Sequence, residues 1–133
     1  MKKDYLNPET LFQSPYFTHT VAVSGAQKLV YVSGQVSYDR SGKVVAPGDM
    51  RAQTEQVFES LTANLTAAGA GWADVVKLNG YMVGMNAERV TQYREVRTRY
   101  LVKGSLPAST LVGVDKLVHD DLLLEVEVIA AVK

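Results

Sequence analysis

At 133 residues and 14.5 kDa the chain holds enough material for one hydrophobic core and not for two, so a single domain over residues 1–133 is expected. Lys plus Arg and Asp plus Glu each number 14, which leaves no charge excess to draw the chain onto nucleic acid or an anionic membrane. The absence of cysteine excludes disulfides, thiolate nucleophiles and Cys-type zinc or iron–sulfur sites, and two histidines, His19 and His119, argue against a His-rich metal cage.

The opening residues Met1-Lys2-Lys3-Asp4-Tyr5 carry charge but no apolar run behind it, so they do not form a signal peptide. No stretch approaches the ~20 apolar residues of a membrane helix, and a cytoplasmic location is expected.

Residues 18–23 alternate, with His19, Val21 and Val23 on one side, which predicts a strand. A turn at residues 24–27 leads to a second β-rich run over 29–36, and the two are expected to form a hairpin. Gly34 interrupts the second run and predicts a bulge or a close backbone approach. The loop 37–48 holds Gly42, Pro47 and Gly48, and Asp49 is placed to cap the helix that follows. Val57, Leu61, Leu65 and Ala68 recur at helical spacing beside Phe58, predicting a helix over 50–68 stopped by Gly69 and Gly71. Residues 74–83 read as a strand with Val76, Leu78 and Met82 on one face and Val75, Tyr81 and Val83 on the other. Asn86 caps a second helix over 87–102 with a stripe of Val90, Tyr93, Val96, Tyr100 and Leu101, ended by Gly104 and Pro107. Strands over 109–114 and 122–132 close a ββαβαββ order, an α+β domain with a mixed sheet and two helices.

Two helices cover one face of such a sheet. The last strand nevertheless sets Leu124, Val126, Val128 and Ala130 on one side and Leu123, Glu125, Glu127 and Ile129 on the other. A second face of this composition predicts cover by other subunits, the alternative being a scatter of exposed apolar residues.

No P-loop, GxGxxG, HExxH or GxSxG motif is present, and nothing points to a metal or an organic cofactor. Polar residues within apolar elements remain as candidates. Glu125 and Glu127 lie ~7 Å apart along one strand face. Either burial raises the pKa of one of them for proton transfer or water orientation, or they sit on a solvated face or in ion pairs. On the second helix Arg97 falls within the apolar stripe, Arg94 at its edge and Arg99 nearly opposite, at ~100° per residue; Glu95 and Arg99 are spaced to pair. An arginine inside an apolar stripe needs an anion, either a carboxylate such as Glu127 of another subunit or a ligand. Tyr16 and Ser33 are further candidates, each with a plain turn or packing reading beside it.

Ser14-Pro15-Tyr16, Val32-Ser33-Gly34-Gln35, Gln53-Thr54, Val75-Val76-Lys77, Pro107-Ala108-Ser109-Thr110 and Leu124-Glu125-Val126-Glu127-Val128-Ile129-Ala130 follow one another in an order and spacing that resembles the RidA/YjgF (YER057c/UK114) family over nearly the whole chain. The resemblance implies a chorismate-mutase-like α+β fold and a homotrimer with a small-molecule cleft at each subunit interface. It further implies hydrolysis of 2-imino or enamino acids to 2-keto acids and ammonia. Carried across by position, Glu125 matches the glutamate that orients water, and Tyr16, Ser33, Gly34, Thr110 and Leu111 fall along the cleft. Ser109 stands where deaminating members place the arginine that binds the substrate carboxylate. A hydroxyl cannot replace that charged fork, so the imine deaminase activity is in doubt. Arg94 and Arg97 are the expected substitutes if they reach the Ser109 pocket, which would bind a small acid in another orientation. A non-catalytic metabolite-binding or regulatory trimer is the alternative. A ribonuclease role ranks last, because the chain lacks net positive charge and a basic-aromatic stacking surface.

Overall fold

The computed structural model describes residues Met1–Lys133. In chain order the elements are β1 (Lys2–Leu6), β2 (Thr20–Ser24), β3 (Lys28–Gln35), α1 (Met50–Ala67), a 3-10 turn (Trp72–Asp74), β4 (Val75–Val83), α2 (Ala87–Thr98), β5 (Ala108–Val114) and β6 (Leu124–Val132). Four strands form a mixed sheet in the order β3-β6-β4-β5, with β4 and β5 parallel and the other pairs antiparallel. The parallel pair is joined by α2, which is the crossover such a pair requires. No helix is long and apolar enough to cross a membrane.

Local chemistry sets the helix ends. The Asp49 carboxylate accepts from the Ala52 N–H at 3.0 Å, and the Asn86 side-chain oxygen accepts from the Arg89 N–H at 2.8 Å, so each helix starts where its cap residue stands. At the end of α1, Gly69 takes a left-handed φ of 69° while Ala70 N–H reaches back to Leu65 O at 2.8 Å, a Schellman closure. Both helices pack on the sheet face that carries Val30, Val32, Leu78, Met82, Leu124, Val126, Val128 and Ala130. Phe58, Leu61 and Leu65 of α1 and Tyr93 of α2 complete this core. On the opposite face Leu29 and Tyr31 remain exposed, and Asn79, Tyr81, Glu125, Glu127 and Ile129 are half-buried.

The structure corrects several expectations. The first two predicted strands do not form a hairpin: β2 pairs with β1, from Lys2–Ser24 to Leu6–Thr20, while β3 pairs with β6. The Lys-Lys-Asp-Tyr-Leu partner carries a composition that is poor for a strand, and it makes the order βββαβαββ. A register shift between Val75 and Lys77 returns Val75 to the core with Leu78 and Met82, and Val76 is the inserted residue. Leu123 precedes β6 and is buried in the core, its N–H donating to Gln53 Oε1 at 2.8 Å. The second helix ends at Thr98 rather than at 102. There the bonding tightens from Arg99 N–H to Val96 O and from Tyr100 N–H to Arg97 O, and Tyr100 turns onto Phe58 with ring centroids 5.2 Å apart. Glu95 and Arg99 do not pair along the helix; each reaches across to α1, Glu95 to Arg51 and Arg99 to Glu55.

Candidate functional site

The segment 7–19 has no regular structure of its own, and side-chain bonds fix its course over the sheet edge. Thr18, which is buried, donates through Oγ1 to Leu106 O at 2.6 Å, and its N–H donates to Pro107 O at 3.2 Å. Ser14 Oγ accepts from the Tyr16 N–H at 3.1 Å. These contacts lay Tyr16 and Phe17 beside α2 and the start of β5. There Arg97 donates from Nη1 to Tyr16 O at 2.7 Å, and the Arg94 guanidinium lies 4.0 Å from the centre of the Tyr16 ring.

Between these elements is a cavity of about 290 Å³. Its walls are Tyr16 and Phe17 from the segment, Met85, Val90, Tyr93, Arg94 and Arg97 from α2 and its lead-in, and Ser109 and Leu111 from β5. The parallel register sets Ser109 beside Leu78 and Leu111 beside Gly80, so both β5 side chains turn toward the helices.

The electrostatics of this cavity are one-sided. Arg97 is 3% exposed, and the ion pairs of the chain are Lys2–Asp4, Lys3–Asp74, Arg51–Glu95 and Arg99–Glu55, so neither Arg97 nor Arg94 has a carboxylate partner. Burial pulls the Arg97 guanidinium below its ordinary pKa, Tyr93 opposes that pull and the neighbouring Arg94 charge adds to it. The Tyr93 hydroxyl is also buried; it lies beside the Arg97 guanidinium but makes no well-aligned hydrogen bond. Burial raises its pKa against the opposing charges of Arg97 and Arg94. A cavity with two unneutralised cations and an orphan hydroxyl is suited to an anion.

The carboxylates lie elsewhere. Glu125 and Glu127 line a hollow of about 260 Å³ on the open sheet face with Gly34, Tyr81, Val114 and Leu117. The register of β3 and β6 shifts between Val32 and Gln35, across Gly34, and a side chain at Gly34 would collide with the Glu125 carboxylate. The bulge and the close approach expected there therefore occur together. Glu127 accepts from Tyr81 Oη at 2.7 Å and from Asn79 Nδ2 at 3.2 Å. Ser33 lines a separate depression of about 270 Å³ with Tyr31, Lys77, Asn79 and Glu127. Thr110 faces away from Ser109, is exposed, and accepts from Lys77 Nζ at 3.4 Å. Within one chain, then, Tyr16, Arg94, Arg97, Ser109 and Leu111 come together, whereas Glu125, Gly34, Ser33 and Thr110 stand apart from them.

The family model described as Endoribonuclease L-PSP matches residues 13–132. The chain belongs to the RidA/YjgF family. A RutC family protein of Pyrococcus horikoshii is 35% identical over 105 residues, covering 79% of this chain and 80% of that protein. Among solved structures, a Rid family protein of unknown function from Yersinia pestis, YyfB, is 32% identical with a TM-score of 0.88, covering 99% of this chain and 100% of its own. A YjgF/YER057c/UK114 family member from Mycobacterium tuberculosis, Rv2704, is 27% identical with a TM-score of 0.65, covering 87% and 86%.

The cations that share the cavity with Ser109 come from α2. Sequence reasoning placed Val90 and Tyr93 in an apolar stripe and passed over Phe17 and Met85 as cavity walls. For Phe17 the signal was its place beside Tyr16 in the Ser-Pro-Tyr motif. For Tyr93 no sequence signal existed, because a stripe tyrosine with a satisfied hydroxyl looks the same in sequence as one without.

Proposed function

We propose that this RidA/YjgF chain binds a small carbonyl, imino or enamino acid, with Arg94 and Arg97 taking the carboxylate beside Ser109. The observation that carries the reading is Arg97: buried, without a carboxylate, on a cavity it shares with Arg94. The chain works as a cytoplasmic homotrimer of the chorismate-mutase-like kind, whose neighbouring copies cover the open sheet face. In that assembly Glu125 of the partner subunit meets the ligand and positions water. The water adds to the C=N carbon, a proton passes to the nitrogen, and the C–N bond breaks to leave a 2-keto acid and ammonia. Glu125 lies far in sequence from α2 and lines a different hollow in its own chain. The same fact favours a second reading, a trimer that binds the acid and does no chemistry, and the two differ in their dependence on Glu125.

Ammonia release from imines generated in situ by an amino-acid oxidase tests the hydrolytic reading, with binding of 2-oxobutyrate followed in parallel by calorimetry. Glu125→Gln is expected to abolish ammonia release and to leave 2-oxobutyrate binding in place. Turnover unaffected by Glu125→Gln would remove the water-positioning role. Binding without turnover in the wild type, with turnover gained in Ser109→Arg, would establish the non-catalytic reading. A monomer by native mass would dismiss the trimer.

A further inference from the structure

The other arginines packed against the helices and strands near this cavity direct their donors away from it. Arg51 and Arg99 pair with Glu95 and Glu55, and Arg89 donates to the carbonyls of Val83 and Gly84 at 2.9 and 3.2 Å. Arg94 and Arg97 alone of this group face a cavity with no acidic side chain in its wall. Arg97 uses one N–H on Tyr16 O. Arg94 lies over the Tyr16 ring, a contact that occupies the face of the guanidinium and leaves its edge donors free. Three residues apart on a helix, the two have Cβ atoms about 5–6 Å apart, so both groups reach a single small molecule. Neutralising one would leave the other unmatched in a half-enclosed site.

We infer that the ligand of this cavity is a small organic dianion, with one guanidinium for each negative charge and Ser109 and Tyr93 as neutral hydrogen-bonding groups. The inference rests on the acid-binding reading above and narrows it. Two features favour an organic skeleton over a bare inorganic ion: the cavity of about 290 Å³ exceeds what one such ion fills, and Phe17, Val90 and Leu111 supply an apolar wall. Arg94 and Arg97 repel one another in the empty cavity, and a doubly charged ligand removes that repulsion where a singly charged one does so by half. The second charge can be a carboxylate or part of a phosphate ester, and separate ligands distinguish these.

The test is calorimetric titration of the full chain, in phosphate-free buffer of low ionic strength, with 2-oxobutyrate, 2-oxoglutarate and glycerol 3-phosphate. At least one dianion is expected to bind about tenfold tighter than 2-oxobutyrate, the increment of one further charged hydrogen-bonded contact. Arg94→Gln is expected to weaken the dianion more than 2-oxobutyrate and so to bring that ratio close to one. Arg94→Lys, which keeps the charge without the planar fork, retains part of the ratio, and Arg99→Gln, at the end of α2 and outside the cavity, retains all of it. Equal affinities for the monoanion and both dianions in the wild type would overturn the dianion inference and leave acid binding intact. Binding of none of the three would overturn acid binding itself. A dianion preference that survives Arg94→Gln undiminished would overturn the assignment of one guanidinium to each charge.

Discussion

The cavity beside α2 and the open face of the sheet handle polar groups in opposite ways. At the cavity two guanidinium groups and a phenol are brought together without counter-charge, and one of the cations is buried. On the sheet face the carboxylate of Glu127 is held by two donors from the neighbouring strand, and that bond, with the negative charge behind it, raises the pKa of the Tyr81 phenol above its ordinary 10.0. Among the buried polar atoms there, the Asn79 side-chain oxygen is left without a partner. Polar groups that complete one another hold a fold together. A set that shares one sign of charge costs stability until something from outside supplies the other sign.

Four perturbations would break or sharpen that contrast. The largest effect is expected from Arg97→Met. Acid affinity should fall by about tenfold to a hundredfold, while the thermal unfolding midpoint holds or rises, because a buried unpaired cation is exchanged for an apolar chain of similar length. A lower midpoint with unchanged affinity would make Arg97 a structural residue and erase the difference between the two regions. Gly34→Ala should cost up to about 1 kcal/mol in urea unfolding, since the new methyl meets the Glu125 carboxylate and that flexible side chain must swing aside. The same variant should depress any ammonia release and spare acid binding at the arginines. Tyr81→Phe removes the donor at 2.7 Å from Glu127 and should cost about 1 kcal/mol, with acid affinity unaltered; a change in affinity would mean that the two regions communicate.

The smallest effect is one of pH. Burial and the bond to Glu59 push the Tyr100 phenol up to about 12. In the unfolded chain this group ionises near 10. Because the folded value is the higher, its contribution is complete below pH 10 and is lost as the pH climbs from there toward 12. Stability measured across that window should decline, and Tyr100→Phe should flatten the decline.

Much of the architecture was legible because it rests on local signals. Asp49, Asn86 and Gly69 mark helix ends by the hydrogen bonds or backbone angles they alone supply, and the structure uses all three. What failed was pairing. Nothing in residues 18–36 states that β2 prefers Lys2–Leu6 to its neighbour in sequence, since partner choice depends on which edges remain after β6 has taken β3. The bulge beside Val75 escaped for a similar reason: period-two patterning assigns faces correctly only until a residue is inserted. At the site, helical spacing placed Arg97 in the apolar stripe, and it lies there. Spacing does not say whether a carboxylate waits across the gap, and it set Glu95 and Arg99 together when both turned to α1.

Gln53 is the feature whose consequence reaches furthest. Its amide, fully enclosed, gives hydrogens to the carbonyls of Ala46 and Asp121 at 3.1 and 2.8 Å and takes one from the Leu123 amide. One side chain on the first helix thereby fixes the phase in which the final strand enters the sheet. A slip of a single residue there would rotate both glutamates into the oily interior and turn Val126 and Val128 outward. The amide thus acts as an index pin at the entry of the final strand, in the register on which the placing of the chain's own acids depends.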